Sequence, residues 1–157
     1  MTVLFHDRFE GHRAGEYPDG WRIEQHRAGP HQHAELVNGA YSILAPGNKH
    51  LPLTGKLSDF CLTVQCRAEA AYTRKACLVI YFHYDPDSQT GGVIHVQWGE
   101  GSISIAYGLE HDGVFRAMGN QSGAGAADLI AQPLTIRLAV QQGHVSVSAG
   151  ALNFNAS

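Results

Sequence analysis

No stretch of this chain is apolar for long enough to cross a bilayer as a helix, which takes about 20 such residues. Concentrated positive charge is also missing. The formal charge is −3, and of the eleven Lys and Arg only Arg74-Lys75 are adjacent. Nucleic acids and anionic membranes are held by dense basic surfaces, so neither is expected as a partner. Cysteine is scarce. Cys61 and Cys66 have opposite parity on one strand-like segment and cannot bridge, and Cys77 makes the count odd, so the three read as reduced thiols. Helical periodicity is almost absent. The window Arg67–Ala76 has helix propensity, but it is short and lies between two strong strand signals, where a long hairpin connection serves as well. No phosphate loop, dinucleotide fingerprint or Ser–His–Asp arrangement occurs. The first residues enter a strand-like pattern at once, without the segments of a signal peptide. A cytoplasmic protein is expected if the chain starts here, and a secreted or periplasmic one if a leader has been removed.

What is present is alternation. In Asp59–Ala68, Phe60, Leu62, Val64 and Cys66 oppose Cys61, Thr63, Gln65 and Arg67. In Cys77–Tyr84, Leu78, Ile80, Phe82 and Tyr84 oppose Cys77, Val79, Tyr81 and His83. In Gly92–Trp98, Ile94, Val96 and Trp98 oppose Val93, His95 and Gln97; in Gly101–Tyr107, Ile103, Ile105 and Tyr107 oppose Ser102, Ser104 and Ala106. Side chains alternate faces along a strand, so each segment has one core face and one other face. That other face offers Arg, Tyr, His and Gln, which donate and accept hydrogen bonds and stack on flat or apolar ligand surfaces. A neutral polyol such as a sugar suits it; the bland alternative is a solvated outer face with incidental rings.

Further strands are expected near Val3–Phe9, Trp21–Gln25, Ala34–Val37, Ala40–Leu44, His50–Pro52, Val114–Ala117, Leu134–Gln141 and His144–Ala149. Asn38-Gly39 is a tight hairpin signal, and Gly99-Glu100-Gly101 and Gln142-Gly143 join strands directly. Gly119–Ala127 reads as a small-residue loop. Strands joined mainly by hairpins predict two antiparallel sheets packed face to face, and no repeat or linker divides residues 1–157, so a single β-sandwich domain is expected, complete or part of a longer protein.

Leu4-Phe5-His6-Asp7-Arg8-Phe9-Glu10-Gly11 followed by Tyr17-Pro18-Asp19-Gly20-Trp21 resembles the opening of concanavalin A-like lectin/glucanase domains. More narrowly, the chain is similar to the bacterial 3-keto-disaccharide hydrolase family, domain of unknown function 1080. The hairpin Asn38-Gly39-Ala40-Tyr41, the strands Phe60–Arg67 and Tyr81-Phe82-His83-Tyr84, and the hairpin Leu134–Val147 follow in the family's order, over about residues 3 to 150. The resemblance implies an all-β, antiparallel jelly-roll sandwich whose concave sheet is a glycan groove lined by Gln65, Arg67, Tyr81, His83, His95 and Gln97. The expected function is a carbohydrate-binding module for an oligosaccharide or polysaccharide, accessory to a carbohydrate-active enzyme. Family members continue past the final hairpin into a closing strand. Here the tail Ala151–Ser157 reads as that strand missing, in another register or supplied from elsewhere, leaving an edge for an adjoining domain or a second copy.

The chemistry of catalysis is thinner. The four central strands place no Asp or Glu on the polar face; Glu69, Asp85, Asp87, Glu100 and Glu110 lie at strand ends or loops, which argues against a two-carboxylate glycosidase. An elimination on a keto-sugar needs a base, for which His83 and His95 are the candidates; a histidine that only binds or packs is the plainer reading. His31-Gln32-His33, with His26 and Glu35 nearby, offers imidazoles to a transition metal but is equally a polar loop. The resemblance implies a structural calcium held by Asp7 or Glu10 of the first strand. The loop Asp85-Pro86-Asp87-Ser88-Gln89 offers hard oxygens or is simply a turn. Trp98 shares parity with Ile94 and Val96 and is assigned to the core.

Overall fold

The computed structural model describes residues 22–24, 33–37, 40–44, 48–50, 57–68, 74–85, 87–125 and 129–157, the first four segments as backbone. The chain divides into two compact units, Met1–Gly55 and Lys56–Ser157. In the first, β1 (Arg22–Glu24) pairs antiparallel with β4 (Asn48–His50), and β2 (His33–Val37) with β3 (Ala40–Leu44). Val37 opposes Ala40, the register of the hairpin expected from Asn38-Gly39. Val3–Phe9, Asp7, Glu10 and His31 lie outside the described residues.

The second unit is all-β: two four-stranded antiparallel sheets packed as a β-sandwich. One sheet is an uninterrupted meander of β6 (Lys75–Asp85), β7 (Thr90–Gly99), β8 (Ser102–His111) and β9 (Val114–Ala124). The other runs β12 (Leu152–Ala156), β11 (His144–Ala149), β10 (Leu134–Gln141), β5 (Phe60–Cys66). The turns explain the meanders. Gly99 opposes Ser102, His111 opposes Val114 and Gln141 opposes His144, leaving Glu100-Gly101, Asp112-Gly113 and Gln142-Gly143 as two-residue turns. All six turn residues have φ between 50° and 83°, the conformation whose twist matches that of the flanking strands.

The alternation settles which face is inside. Leu134, Ile136, Leu138, Val140, Val145, Val147, Leu152 and Phe154 from one sheet meet Phe82, Ile94, Val96, Trp98, Ile103 and Ile105 from the other. Each such side chain contributes about 1.5–3 kcal/mol when fully buried, so this layer dominates the stability of the unit. Trp98 is buried in it, as its parity predicted.

Three sequence expectations need correction. Gly119–Ala127 is not simply a loop: β9 continues through Ala124. Small residues are used there because the partner sheet comes close; a Cβ on Gly119 would stand 3.1 Å from the Phe154 ring, and one on Gly123 would stand 3.3 Å from Leu152. Of the three readings of the tail, an absent strand is excluded, because Leu152–Ala156 pairs with β11 along its length. Finally, the connection after β5 is not a hairpin. β5 pairs with β10, 68 residues further along the chain at Cys66↔Leu134, and the chain crosses to the other sheet before β6. This crossing separates residues that sequence alone placed side by side.

Candidate functional site

Directly opposed residues of an antiparallel sheet share a face. On the outer face of the meander sheet, one row is Val79, His95, Ala106 and Asn120; the next is Tyr81, Val93, Gly108 and Ala117. Glu110 follows, opposed by Gly91 on β7 and Phe115 on β9. Cys77, Gln97, Ser104 and Ser122 form the row on the other side.

A bulge sharpens this face. The β6–β7 register shifts between Phe82 and Asp85, and His83 takes φ 49°. A left-handed residue other than glycine costs about 1–2 kcal/mol. Compensation comes from what His83 reaches: its Nε2–H donates to the Leu57 carbonyl at 2.7 Å, and its ring meets Phe60 and Phe82 edge-on, with centroids 5.9 and 5.5 Å away. The extra residue turns Tyr84 onto the outer face. There its ring covers Gly91, where a Cβ would stand 2.9 Å from Tyr84 Cδ2, and lies 4.9 Å from the Tyr81 ring. The sequence parity had put His83 on this face and Tyr84 in the core; the bulge exchanges them.

The remaining members follow from glycine. Gly108 has no side chain, and the Phe115 ring occupies that space. Phe115 thereby stacks on His95, with centroids 4.7 Å apart and planes 28° from parallel. Val93 lies beneath these rings with no exposed surface, although it is on the outer face. The result is a platform of half-buried rings, Tyr81, Tyr84, His95 and Phe115, over a floor of Gly91, Val93 and Gly108. Tyr84 donates to Glu110 Oε1 at 3.4 Å, and Tyr81 lies beside the same pair through its ring contact with Tyr84.

The electrostatics agree with that geometry. Burial pushes the Tyr81 phenol up, and the Glu110 carboxylate and Tyr84 add to the shift, so it remains a neutral donor. Burial lowers His95, with Glu110 opposing, so the imidazole is neutral at neutral pH. Burial raises the Cys77 thiol against a hydrogen bond from Gln97.

Of the six residues expected to line one groove, three share a face: Tyr81, His95 and Gln97 lie on the outer face of the meander sheet. Gln65 lies on the outer face of the opposite sheet, since the Phe60, Leu62 and Cys66 parity of β5 packs inward, and Arg67 is exposed just past the end of β5. His83 is diverted by the bulge. Sequence reasoning missed Tyr84, Glu110 and Phe115. Glycines inside strand patterns, Gly91 and Gly108, were the available signal for rings crossing the sheet. Glu110 does stand near a strand end, but on the polar face.

The other candidate chemistry is structural. Asp85 Oδ1 accepts from the Asp87 amide at 3.0 Å and Oδ2 from Ser88 Oγ at 2.8 Å, closing the β6–β7 turn. Thr90 Oγ1 lies 3.1 Å from His111 Nδ1, tying that turn to the β8–β9 turn. Among the described residues no three His, Cys, Asp or Glu are grouped to hold a metal ion. An open depression of about 400 Å³ at the β11–β12 edge, lined by His144, Ser146, Asn155 and Ser157, lies away from the ring cluster. Comparison with known proteins finds no matching family model, no matching curated protein and no matching solved structure.

Proposed function

We propose that this domain binds carbohydrate on the outer face of the β6–β9 sheet, with Tyr81, Tyr84, His95 and Phe115 as the stacking platform and Glu110, Gln97 and Asn120 setting hydroxyl geometry. The observation that carries the reading is the Tyr81–Tyr84–Glu110 cluster beside the His95–Phe115 stack. Sugar sites combine rings under the C–H faces with planar hydrogen-bonding groups on a rigid scaffold. A paired sheet supplies that rigidity, and adjacent strands about 4.8 Å apart match the spacing of groups on one or two sugar rings. The concanavalin A-like jelly roll, and membership among 3-keto-disaccharide hydrolases, belong to the same proposal and rest on the sequence resemblance alone.

The test is an oligosaccharide screen followed by nitrogen–proton NMR titration. A binding sugar should shift the amides of Tyr81, Val93, His95 and Gly108, and Phe115→Ala should weaken it at least about tenfold, as for loss of a stacking ring. Failure of every sugar in the screen to shift these amides would end the reading. An elimination on a keto-sugar is the second reading, favoured by the neutral His95 beside a phenol donor. Turnover of a 3-keto-disaccharide that disappears in His95→Gln would establish it; binding without turnover would leave the module.

A further inference from the structure

We infer that the sugar taken by this face is positively charged: an amino sugar whose ammonium group pairs with Glu110. The inference rests on the carbohydrate reading above and adds the charge of its ligand.

Among the described residues, the Glu110 carboxylate accepts from the neutral Tyr84 phenol at 3.4 Å, with the Tyr81 phenol, which touches the Tyr84 ring, close by. His95, across the platform, is held toward its neutral form by burial. Among the described residues no Lys or Arg is paired with Glu110. Arg116 opposes Leu109 and therefore belongs to the other face of the sheet. Lys75 shares the outer face, but it opposes Gly99 and pairs with Glu100 at 3.2 Å. Gly99 is eight residues along β7 from Gly91, the partner of Glu110, or about 26 Å at the rise of a strand.

Each feature discriminates between sugars. A uronate or sulfated sugar would bring a second negative charge to Glu110, with no cation paired there among the described residues to receive it. A neutral sugar can use the carboxylate only as a hydrogen-bond acceptor, and the Tyr84 phenol already occupies part of that capacity. An ammonium group donates up to three hydrogen bonds, neutralises the carboxylate and sits favourably against ring faces. The rings of Tyr81, Tyr84 and Phe115 flank Glu110, so one ammonium could meet both. The opposite sheet, by contrast, presents Arg137 on its outer face, with Arg67 exposed just past the end of β5.

The experiment compares three hexasaccharides of one backbone, β-1,4-linked glucosamine, its N-acetylated form and cellohexaose, by calorimetry and NMR on the whole chain. The glucosamine oligomer should bind about tenfold more tightly than the other two, which is the scale of one charge-assisted contact at a half-exposed site. Glu110→Gln, which keeps an acceptor for the tyrosines, should remove that preference, bringing the glucosamine oligomer down to the affinity of its N-acetylated form. Glu100→Gln, an exposed carboxylate elsewhere, should not alter it; if it does, the preference is bulk attraction to a negative protein and the assignment fails. Raising the salt on the unmodified protein should shrink the preference toward parity, a readout that does not depend on any variant folding. Equal affinity for all three oligomers overturns the charge assignment while the carbohydrate reading stands. Absence of binding by all three overturns the charge assignment, and the carbohydrate reading falls with it only if every other sugar of the screen also leaves the platform amides unshifted.

Discussion

The ring of Phe154 stands 3.1 Å from the point a Cβ on Gly119 would occupy, and this contact is where the C-terminal strand of one sheet closes on the edge strand of the other. Phe154 also lies 6.3 Å from the Tyr107 ring, so it is held from two sides. A branched side chain at position 119 would push the ring away and separate the sheets locally. Gly119→Val is therefore expected to cost about 1–3 kcal/mol, the usual penalty of overpacking, despite the better strand propensity of Val. Urea denaturation reads this directly. An unchanged midpoint would mean that β12 yields without loss and that the close approach is not structural.

Gly108 plays the corresponding part on the outer face. An added Cβ would run into both the Phe115 ring and the Arg116 carbonyl, and the carbonyl belongs to the backbone of the neighbouring strand and cannot swing aside. Gly108→Ala is expected to lower stability by about 1–3 kcal/mol and to break the His95–Phe115 stack. The second effect has its own signature, a downfield shift of the His95 ring protons as the Phe115 ring current is lost. Retention of those shifts in the variant would show that the stack does not depend on the glycine.

Much of this arrangement was legible in the sequence, and the illegible parts have one cause. Strict alternation identified the inward faces of β5, β7 and β8, including Trp98, because burial on one side imposes a period of two. The Gly-containing turns announced their hairpins because only residues tolerant of positive φ fit them. Periodicity, however, reports which way a side chain points relative to its own strand, not which sheet that strand joins. Gln65 and His95 have the same local pattern and stand on opposite sides of the sandwich. Nor does it survive a bulge: one residue inserted at His83 inverted the assignment of Tyr84. β12 was missed because Asn153 and Asn155 make a short, polar edge strand look like a tail, whereas Leu152 and Phe154 between them carry the core contact.

The three thiols differ enough to be told apart chemically. Cys61 lies exposed on the outer face of β5, and Cys77 is exposed on β6 with its thiol raised by burial and partly offset by Gln97. Cys66 faces the core, donates to the Leu134 carbonyl at 3.5 Å, and is pushed up to about 11 by burial. At pH 8 about one Cys66 side chain in a thousand is then the reactive thiolate. Alkylation of the folded protein, followed by peptide mass mapping, should label Cys61 first, Cys77 more slowly and Cys66 only after unfolding. Labelling of all three at one rate would contradict the inward orientation of Cys66 and with it the packing of β5.

The platform histidine gives the face a pH dependence whose sign is fixed. Burial lowers His95 from its ordinary value of 6.5, with the Glu110 carboxylate opposing but not cancelling that effect. Well above 6.5 the imidazole is neutral in both folded and unfolded chains and contributes no slope. As pH falls through that value, the unfolded chain takes up a proton that the folded chain resists, so the unfolded state is favoured and stability drops. The loss stops growing once pH passes below the folded value. Other histidines and carboxylates titrate over the same range, so the informative quantity is the difference between the unmodified protein and His95→Gln. From pH 7.5 to pH 5 the urea midpoint of the unmodified protein should fall more than that of the variant. A constant difference would mean that His95 is no more protected in the folded chain than in the unfolded one. A difference that grows in favour of the unmodified protein would mean that attraction to Glu110 outweighs burial, and the ring would then act as a cation beside that carboxylate.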